Sequence, residues 1–274
     1  MQNINYAPVA LFTYNRLNNT VEVVEALKNN HLAKDTILYI YSDAPNKPQD
    51  SAKVDELRNY LKTIQGFKEV VIIEREENYY IERNIIDGVT TLISKYGRVI
   101  VLEDDGVTHP YFLNFVNDAL EFYKNNREVM NISTFNFLNL PDDFNKTFFL
   151  KYAENTGGGW ATWKDRWDHF QWFKSEDEGL QNLTKENIDD LQLKGNSNSL
   201  GYLKLNPIPS DICWNIAIVK NNGLVVYPPV PLIKNNGLDN GTHFNFINNK
   251  EYLDWFNLLG IKYLVFNGNP RVTQ

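Results

Sequence analysis

The chain has 274 residues, 43% hydrophobic and 22% charged, which is ordinary for a globular protein with a substantial core. The net charge of −7 argues against nucleic-acid binding, and the single cysteine, Cys213, excludes an internal disulfide framework and a cysteine-based zinc site. No long apolar run and no signal-peptide pattern is visible, so we expect a cytoplasmic protein whose membrane contact is at most peripheral.

Strand-like and helix-like segments alternate over the first 110 residues. Short apolar runs predict strands at 9–12, 36–42, 69–73 and 98–102, and helical spacing predicts helices near 19–28, 54–64 and 81–93. This order predicts an α/β fold with a mixed, mainly parallel sheet flanked by helices. Ligands of such sheets bind at the carboxyl ends of the strands.

After residue 111 the pattern changes, but no linker or repeat interrupts the chain, so we expect a single domain. Residues 174–200 are polar and weakly periodic, and we predict that they move or face an acceptor. Three further helices are predicted in this half, at 112–123, from about Asp211 to Lys220, and at 251–259. The strands predicted here are at 129–132, 148–152 and 223–227.

Three consecutive acids, Glu103, Asp104 and Asp105, follow the fourth predicted strand. Adjacent carboxylates repel one another unless a cation or solvent compensates them. Mg²⁺ or Mn²⁺ bridging a diphosphate would do so, since both cations prefer oxygen ligands. A solvated strand end that caps the next helix is an equally compatible interpretation.

Further polar residues follow the other strands: Thr13 and Arg16 after the first and Asp43 after the second, with Arg83 early in the third helix. An arginine can bind phosphate bidentately, although a single arginine is more often a surface residue. The glycine motifs of P-loop and dinucleotide-binding proteins are absent, which removes the usual support for those two functions.

A glycine run, 157–159, precedes Trp160. Glycines let a backbone pack closely on a ligand, and indole faces suit sugar rings, so we predict that Gly159, Trp160 and also Trp214 contact a sugar. The alternative is a helix start whose tryptophans anchor the core, which we expect for Trp163 and Trp167.

Two further residues have open alternatives. Asp211 lies at the start of a predicted helix. It either caps this helix or acts as a general base whose carboxylate points into a pocket. His243 lies in the polar loop 235–244, whose composition is that of a flexible lid, and it either binds metal or phosphate or is solvated.

Taken in order, these segments resemble glycosyltransferases of the GT-A fold, including bacterial family 2-like enzymes and N-acetylglucosaminyltransferase I. The resemblance covers about residues 8–244. It is carried by Thr-Tyr-Asn-Arg and Ser-Asp after the first two strands, then VIVLEDD, Gly-Gly-Gly-Trp, Ser-Asp-Ile-Cys-Trp and Asn-Gly before Thr-His-Phe.

The resemblance implies a role for each matching residue. Asp105 corresponds to the metal ligand, Asp104 to a ribose contact and Glu103 to a donor-sugar contact. Asp211 corresponds to the catalytic base, although serine replaces the tryptophan that precedes this aspartate in the family. The remaining donor contacts implied are Arg16 near the diphosphate, Asp43 near uracil, and Arg83 with Asn84, where asparagine replaces the family's histidine.

The expected function is a metal-dependent inverting transfer of a sugar, first N-acetylglucosamine, from a UDP-sugar to a glycan, lipid-linked or protein-linked hydroxyl. Residues 1–110 are the expected nucleotide-binding half, 111–250 the acceptor-binding and catalytic half, and 251–274 a helical extension. A nucleotidyltransferase and a non-catalytic sugar-binding protein of the same fold are the alternatives.

Overall fold

The structure, a computed structural model, describes residues 6–136, 146–155, 158–193 and 197–236. Strands and helices alternate in its first half as predicted, with bounds that agree to within one helical turn. The strands are β1 (Val9–Thr13), β2 (Ile37–Ser42), β3 (Glu69–Glu74) and β4 (Arg98–Glu103), and the helices are α1 (Leu17–Lys28), α2 (Ser51–Leu61) and α3 (Tyr80–Tyr96).

The second half mixes short strands with mostly short helices. Its strands are β5 (Gly106–Thr108), β6 (Val129–Ser133), β7 (Phe148–Leu150), β8 (Trp160–Trp163), β9 (Leu224–Tyr227) and β10 (Ile233–Asn235). Its helices are α4 (Phe112–Phe122), α5 (Lys164–Trp167), α6 (Glu176–Leu180), α7 (Lys185–Leu191), α8 (Ser199–Tyr202) and α9 (Ser210–Lys220). The predicted helix at 251–259 lies outside the described residues.

Eight strands form one sheet in the order β3-β2-β1-β4-β8-β6-β9-β7, and β5 pairs with β10 in a second, antiparallel sheet. β1 to β4 are mutually parallel, β8 runs antiparallel to both β4 and β6, and β7 runs antiparallel to β9. The predicted mixed, mainly parallel sheet flanked by helices is therefore confirmed.

Each face of the sheet has its own apolar core. In β1, Val9 and Leu11 join a cluster with residues of α1, α2 and α4, whereas Ala10 and Phe12 join a cluster with residues of α3 and α9. Alternate side chains of a strand point to opposite faces, so a strand covered on both sides reads as a continuous apolar run.

The segment 174–200 contributes to a third cluster. Leu191 of α7 packs there with Phe173, Leu203 and the α9 residues Ile212 and Cys213. This part of the chain is thus folded against α9, and its weak periodicity reflects helices of only four to seven residues. In the described ranges, no helix combines the length and the apolar character needed to cross a membrane.

Candidate active site

Three predicted site residues end neighbouring parallel strands. β1 lies between β2 and β4, so Thr13, Asp43 and Glu103 meet at one edge of the sheet. Phe12 pairs with Glu103, Thr13 pairs with Ser42, and the Asp43 N–H donates to the Thr13 carbonyl at 3.0 Å. This is the edge at which parallel α/β sheets bind ligands.

Arg16, in the loop between β1 and α1, joins this acidic edge. Its Nη2 donates to Asp104 Oδ1 and, at 3.3 Å, to Asp105 Oδ2. Asp104 is buried, and the second Asp105 oxygen, Oδ1, is buried without a hydrogen-bond partner among the described residues. Thr13 Oγ1 is likewise buried without a hydrogen-bond partner among the described residues. Buried polar atoms in native proteins normally have a partner, so these two oxygens are expected to meet a ligand, an ion or water.

Burial and charge crowding both act on the acidic triplet. Burial raises the pKa of Glu103 well above its ordinary value, and the charges of its two triplet neighbours, then of Asp211 and Glu82, raise it further. Burial likewise raises the pKa of Asp104, an effect that Arg16 opposes. A second positive charge at this edge would favour the ionised forms of the triplet.

The donor atoms fit Mg²⁺ or Mn²⁺ if a substrate completes the coordination shell. The buried, unpaired Asp105 Oδ1 has the chemistry these cations prefer. In the part of the chain that the structure describes, no three His, Cys, Asp or Glu side chains are grouped so as to hold a metal by themselves. One or two protein ligands with phosphate and water oxygens is the usual arrangement for Mg²⁺ at phosphate sites.

Two residues of the glycine run pack against the end of β4. Gly158 has φ +84°, and a Cβ built there would lie 2.5 Å from the Glu103 nitrogen. Gly159 has φ +49°, and a Cβ there would lie 2.5 Å from Thr134 Oγ1. Only glycine tolerates both the left-handed backbone and this close approach. These glycines therefore shape the backbone beside the acidic triplet.

Asp43 is held by the backbone of the next loop. It is buried, and its Oδ1 accepts from the N–H of Ala44 at 2.9 Å and of Tyr79 at 2.8 Å. Burial raises its pKa, and these hydrogen bonds act in the opposite direction. Asp43 thus ties the end of β2 to the start of α3 as well as lying at the ligand-binding edge.

Arg83 and Asn84 point to different surroundings. Arg83 is half exposed, pairs with Glu77 at 2.8 Å and lies 3.6 Å over the Tyr79 ring. Asn84 is buried, and its Oδ1 accepts from Arg75 at 2.9 Å. Arg83 therefore lies at the surface beside Tyr79, whereas the carboxamide of Asn84 is hydrogen-bonded to Arg75 in the interior.

Arg75 was not identified from the sequence. Its guanidinium lies over the rings of Tyr41 and Tyr79, at 5.0 and 4.4 Å, and donates to Asp87 at 2.6 Å. A single arginine after a strand carries no sequence signal that separates it from a surface residue.

Asp211 lies in the first turn of α9 and is exposed. Its Oδ1 accepts from the N–H of Ile212 at 2.7 Å. The N-cap position is Pro209, which has no side-chain hydrogen bond, so Asp211 is not the N-cap. The backbone N–H of Ser210 instead donates to Glu82 of α3. Glu82, which sequence reasoning missed, brings a second carboxylate to the start of this helix.

Trp160 and Trp214, predicted to contact a sugar, lie in the core. Trp160 is 6% exposed and Trp214 is 1% exposed, and both pack with Trp167. The Trp214 indole N–H donates to the buried Asn131 side chain at 3.1 Å. Strand β8 and helix α9 direct these rings toward each other, and the sugar contact of the two tryptophans stays a prediction. Trp163 and Trp167 are buried as predicted.

His243 and most of the predicted lid lie outside the described residues, as does Gly157. Asn235 and Asn236 are described, and the Asn236 N–H donates to the Asp105 carbonyl at 2.9 Å. The chain therefore leaves the second sheet directly beside the acidic triplet.

No protein-family model and no curated protein matches the sequence. Among solved structures, the chain is similar to S. aureus TarS 1-349, with a TM-score of 0.45 and 10% identity over 83% of this chain and 59% of that one. A second S. aureus TarS structure has a TM-score of 0.45 and 11% identity over 83% and 36%.

The mannosyltransferase PcManGT from Pyrobaculum calidifontis, in complex with GDP-Man and Mn²⁺, has a TM-score of 0.37 and 15% identity over 82% and 58%. The chain thus spans about three fifths or less of these structures.

Proposed function

We propose that this protein is a metal-dependent glycosyltransferase that moves a sugar from a nucleotide-sugar donor to an acceptor hydroxyl. The observation that carries the proposal is the acidic edge of the sheet, where Arg16 contacts two carboxylates and Asp105 Oδ1 is buried and unpaired. Exposed Asp211 is close enough to raise the pKa of Glu103. A diphosphate needs cations and an acceptor needs a base, and this edge offers groups for both.

We assign the donor diphosphate to Arg16 and Asp105, within a donor-binding half formed by residues 1–110. Asp105 would hold Mn²⁺ or Mg²⁺, which when bound stabilises negative charge on the departing diphosphate. Arg16 can bind phosphate bidentately once the substrate supplies an alternative to its present carboxylate partners. We infer a uridine donor, with Asp104 near the ribose and Asp43 near the base.

We assign the acceptor to the half formed by residues 111–250. Asp211 takes the proton of the acceptor hydroxyl as its oxygen attacks the anomeric carbon, opposite the leaving nucleoside diphosphate, so the anomeric configuration inverts. The carboxylate is exposed at a helix start, where an incoming hydroxyl can reach it. We take N-acetylglucosamine as the first donor sugar to test and a glycan as the acceptor.

The experiment is a panel of UDP- and GDP-sugars, scored by thermal stabilisation of the protein with Mn²⁺ and with chelator. A ligand at one hundred times its dissociation constant stabilises the folded state by about 2.7 kcal/mol. We expect one donor to stabilise the protein only with metal, and its transfer or slow hydrolysis to follow. No stabilisation by any donor would overturn the proposal.

Two variants assign the roles separately. Asp211→Asn is expected to lower transfer by about 10²- to 10⁴-fold with metal-dependent donor binding intact, as for a lost general base. Asp105→Ala is expected to weaken donor binding with Mn²⁺ present but not with chelator. Full transfer by Asp211→Asn, or an equal loss of binding with chelator in Asp105→Ala, would refute the respective assignment.

A further inference from the structure

Glu82 and Ser210 connect the two helices that flank the acidic edge. They are 128 positions apart in sequence, Glu82 in the first turn of α3 and Ser210 at the first position of α9. The backbone N–H of Ser210 donates to Oε2 of the Glu82 carboxylate. Ser210 is buried, so water does not readily replace this partner.

Apolar packing of Ile212 and Cys213 holds the first turn of α9, but no side-chain N-cap orients its backbone N–H groups. Its N-cap, Pro209, makes no side-chain hydrogen bond, and the Ile212 N–H is taken by the adjacent Asp211. The first N–H groups of a helix have no partner within the helix, and its N-terminus favours negative charge. Glu82 supplies both the missing acceptor and the charge, from a different helix.

We propose that Glu82 is a positioning residue, which holds the first turn of α9 so that Asp211 is aligned for proton transfer. This inference rests on the proposed function, because it assumes that Asp211 is the base. Glu82 does not itself touch the reacting atoms in this proposal. It acts through Ser210, the residue immediately before Asp211.

The charge of Glu82 also acts on its surroundings. Burial raises the pKa of Glu82, and the negative charge of Asp211 raises it further. Other titratable groups near this junction, among the described residues, are Glu103 of β4, Cys213 of α9 and Tyr152. Burial raises the pKa of each, to about 12 for the Cys213 thiol, and the negative charge of Asp211 raises it further. Removing the charge of Glu82 therefore allows Asp211 to ionise at a lower pH.

The test compares Glu82→Ala, which removes the acceptor and the charge, with Glu82→Gln, which keeps an acceptor oxygen. We expect Glu82→Ala to lower kcat by about 10- to 100-fold with the donor KM nearly unchanged, as for a displaced catalytic group. Glu82→Gln is expected to recover most of this loss and to move the acid limb of the kcat/KM profile to lower pH. Glu25→Gln, an exposed glutamate of α1, is the matched control.

Either of two results would overturn the inference: Glu82→Ala with unchanged kcat, or Glu82→Gln no better than Glu82→Ala. If Glu82→Ala does not fold, the pH profile of Glu82→Gln decides, and an unmoved acid limb counts against the inference. Asp211→Asn distinguishes failure of the proposed function from failure of the inference about Glu82. If Asp211→Asn is fully active, Asp211 is not the base and the proposed function fails. If Asp211→Asn is inactive and Glu82→Ala has normal activity, only the positioning role of Glu82 fails.

Discussion

Arg16 donates to two carboxylates at the end of β4, and one of them, Asp104, is buried. Without a nucleotide, this guanidinium repels a second cation from Asp105, because like charges at close range raise the free energy of binding. We predict that Arg16→Met binds Mn²⁺ more tightly than the unmodified protein when no nucleotide is present. Titration with Mn²⁺, followed by electron paramagnetic resonance, measures the dissociation constant.

Arg127→Met is the control for this measurement, since Arg127 is 85% exposed and pairs with Asp165 at 3.6 Å. Its affinity for Mn²⁺ should equal that of the unmodified protein. Weaker or unchanged binding by Arg16→Met would show that Arg16 does not compete with the cation.

The raised pKa of Glu103 implies a pH dependence of stability. A glutamate in an unfolded chain ionises near pH 4.3, about its ordinary value, whereas folded Glu103 keeps its proton to higher pH. Between these two values the folded state binds more protons, so the free energy of unfolding falls as pH rises. We predict that metal-free Glu103→Gln is more stable than the unmodified protein at neutral pH.

Urea unfolding over a pH series measures this difference, which should disappear below about pH 4, where the carboxyl is protonated in both states. Glu25→Gln, on the exposed side of α1, should change neither stability nor its pH dependence. A Glu103→Gln protein less stable than the original at pH 7 is the contrary result.

At the scale of elements, the close contact between Gly158 and β4 sets the shape of the acidic edge. We predict that Gly158→Ala weakens donor binding as well as stability, because the added Cβ displaces the Glu103 backbone. Gly97→Ala is the matched control, since Gly97 also has positive φ, +76°, but has no atom within 4 Å of its Cβ position.

Gly97→Ala should therefore show only the backbone strain, about 1–2 kcal/mol of unfolding free energy, with donor affinity unchanged. Urea unfolding and donor titration of the two variants separate strain from displacement. Equal donor affinities in both variants would mean that the glycine run does not shape the donor site.

At the scale of the whole molecule, the tryptophan cluster joins the two halves of the chain. Trp160 of β8, Trp167 of α5 and Trp214 of α9 pack together, and the Trp167 indole N–H donates to Thr90 of α3 at 3.0 Å. The cluster thus binds the helix that carries Glu82 to the helix that carries Asp211. These contacts therefore connect the two sides of the proposed site.

We predict that Trp214→Phe lowers the free energy of unfolding by about 1–3 kcal/mol, because apolar volume is lost and the buried Asn131 Oδ1 loses the indole N–H as a donor. The donor KM should not change, since the ring is 1% exposed. Denaturant unfolding and steady-state kinetics give the two values. A raised donor KM with normal stability would instead support the sugar contact predicted from the sequence.

The sequence by itself determined the alternation of strands and helices, the mainly parallel sheet, and the position of Thr13, Asp43 and the acidic triplet at strand ends. Those features depend on residues near one another in the chain, and the order of elements limits the topology. The chemical class of the proposed site also followed from the sequence, through the acids after β4.

Only the tertiary structure decided which distant groups meet. Arg16 pairs with Asp104 across 88 positions and Glu82 pairs with Ser210 across 128, and no periodicity encodes such contacts. The burial of Trp160 and Trp214 was decided in the same way. An indole beside glycines has the same local sequence whether it faces a ligand or another ring, and the packing of β8 against α9 selects between them.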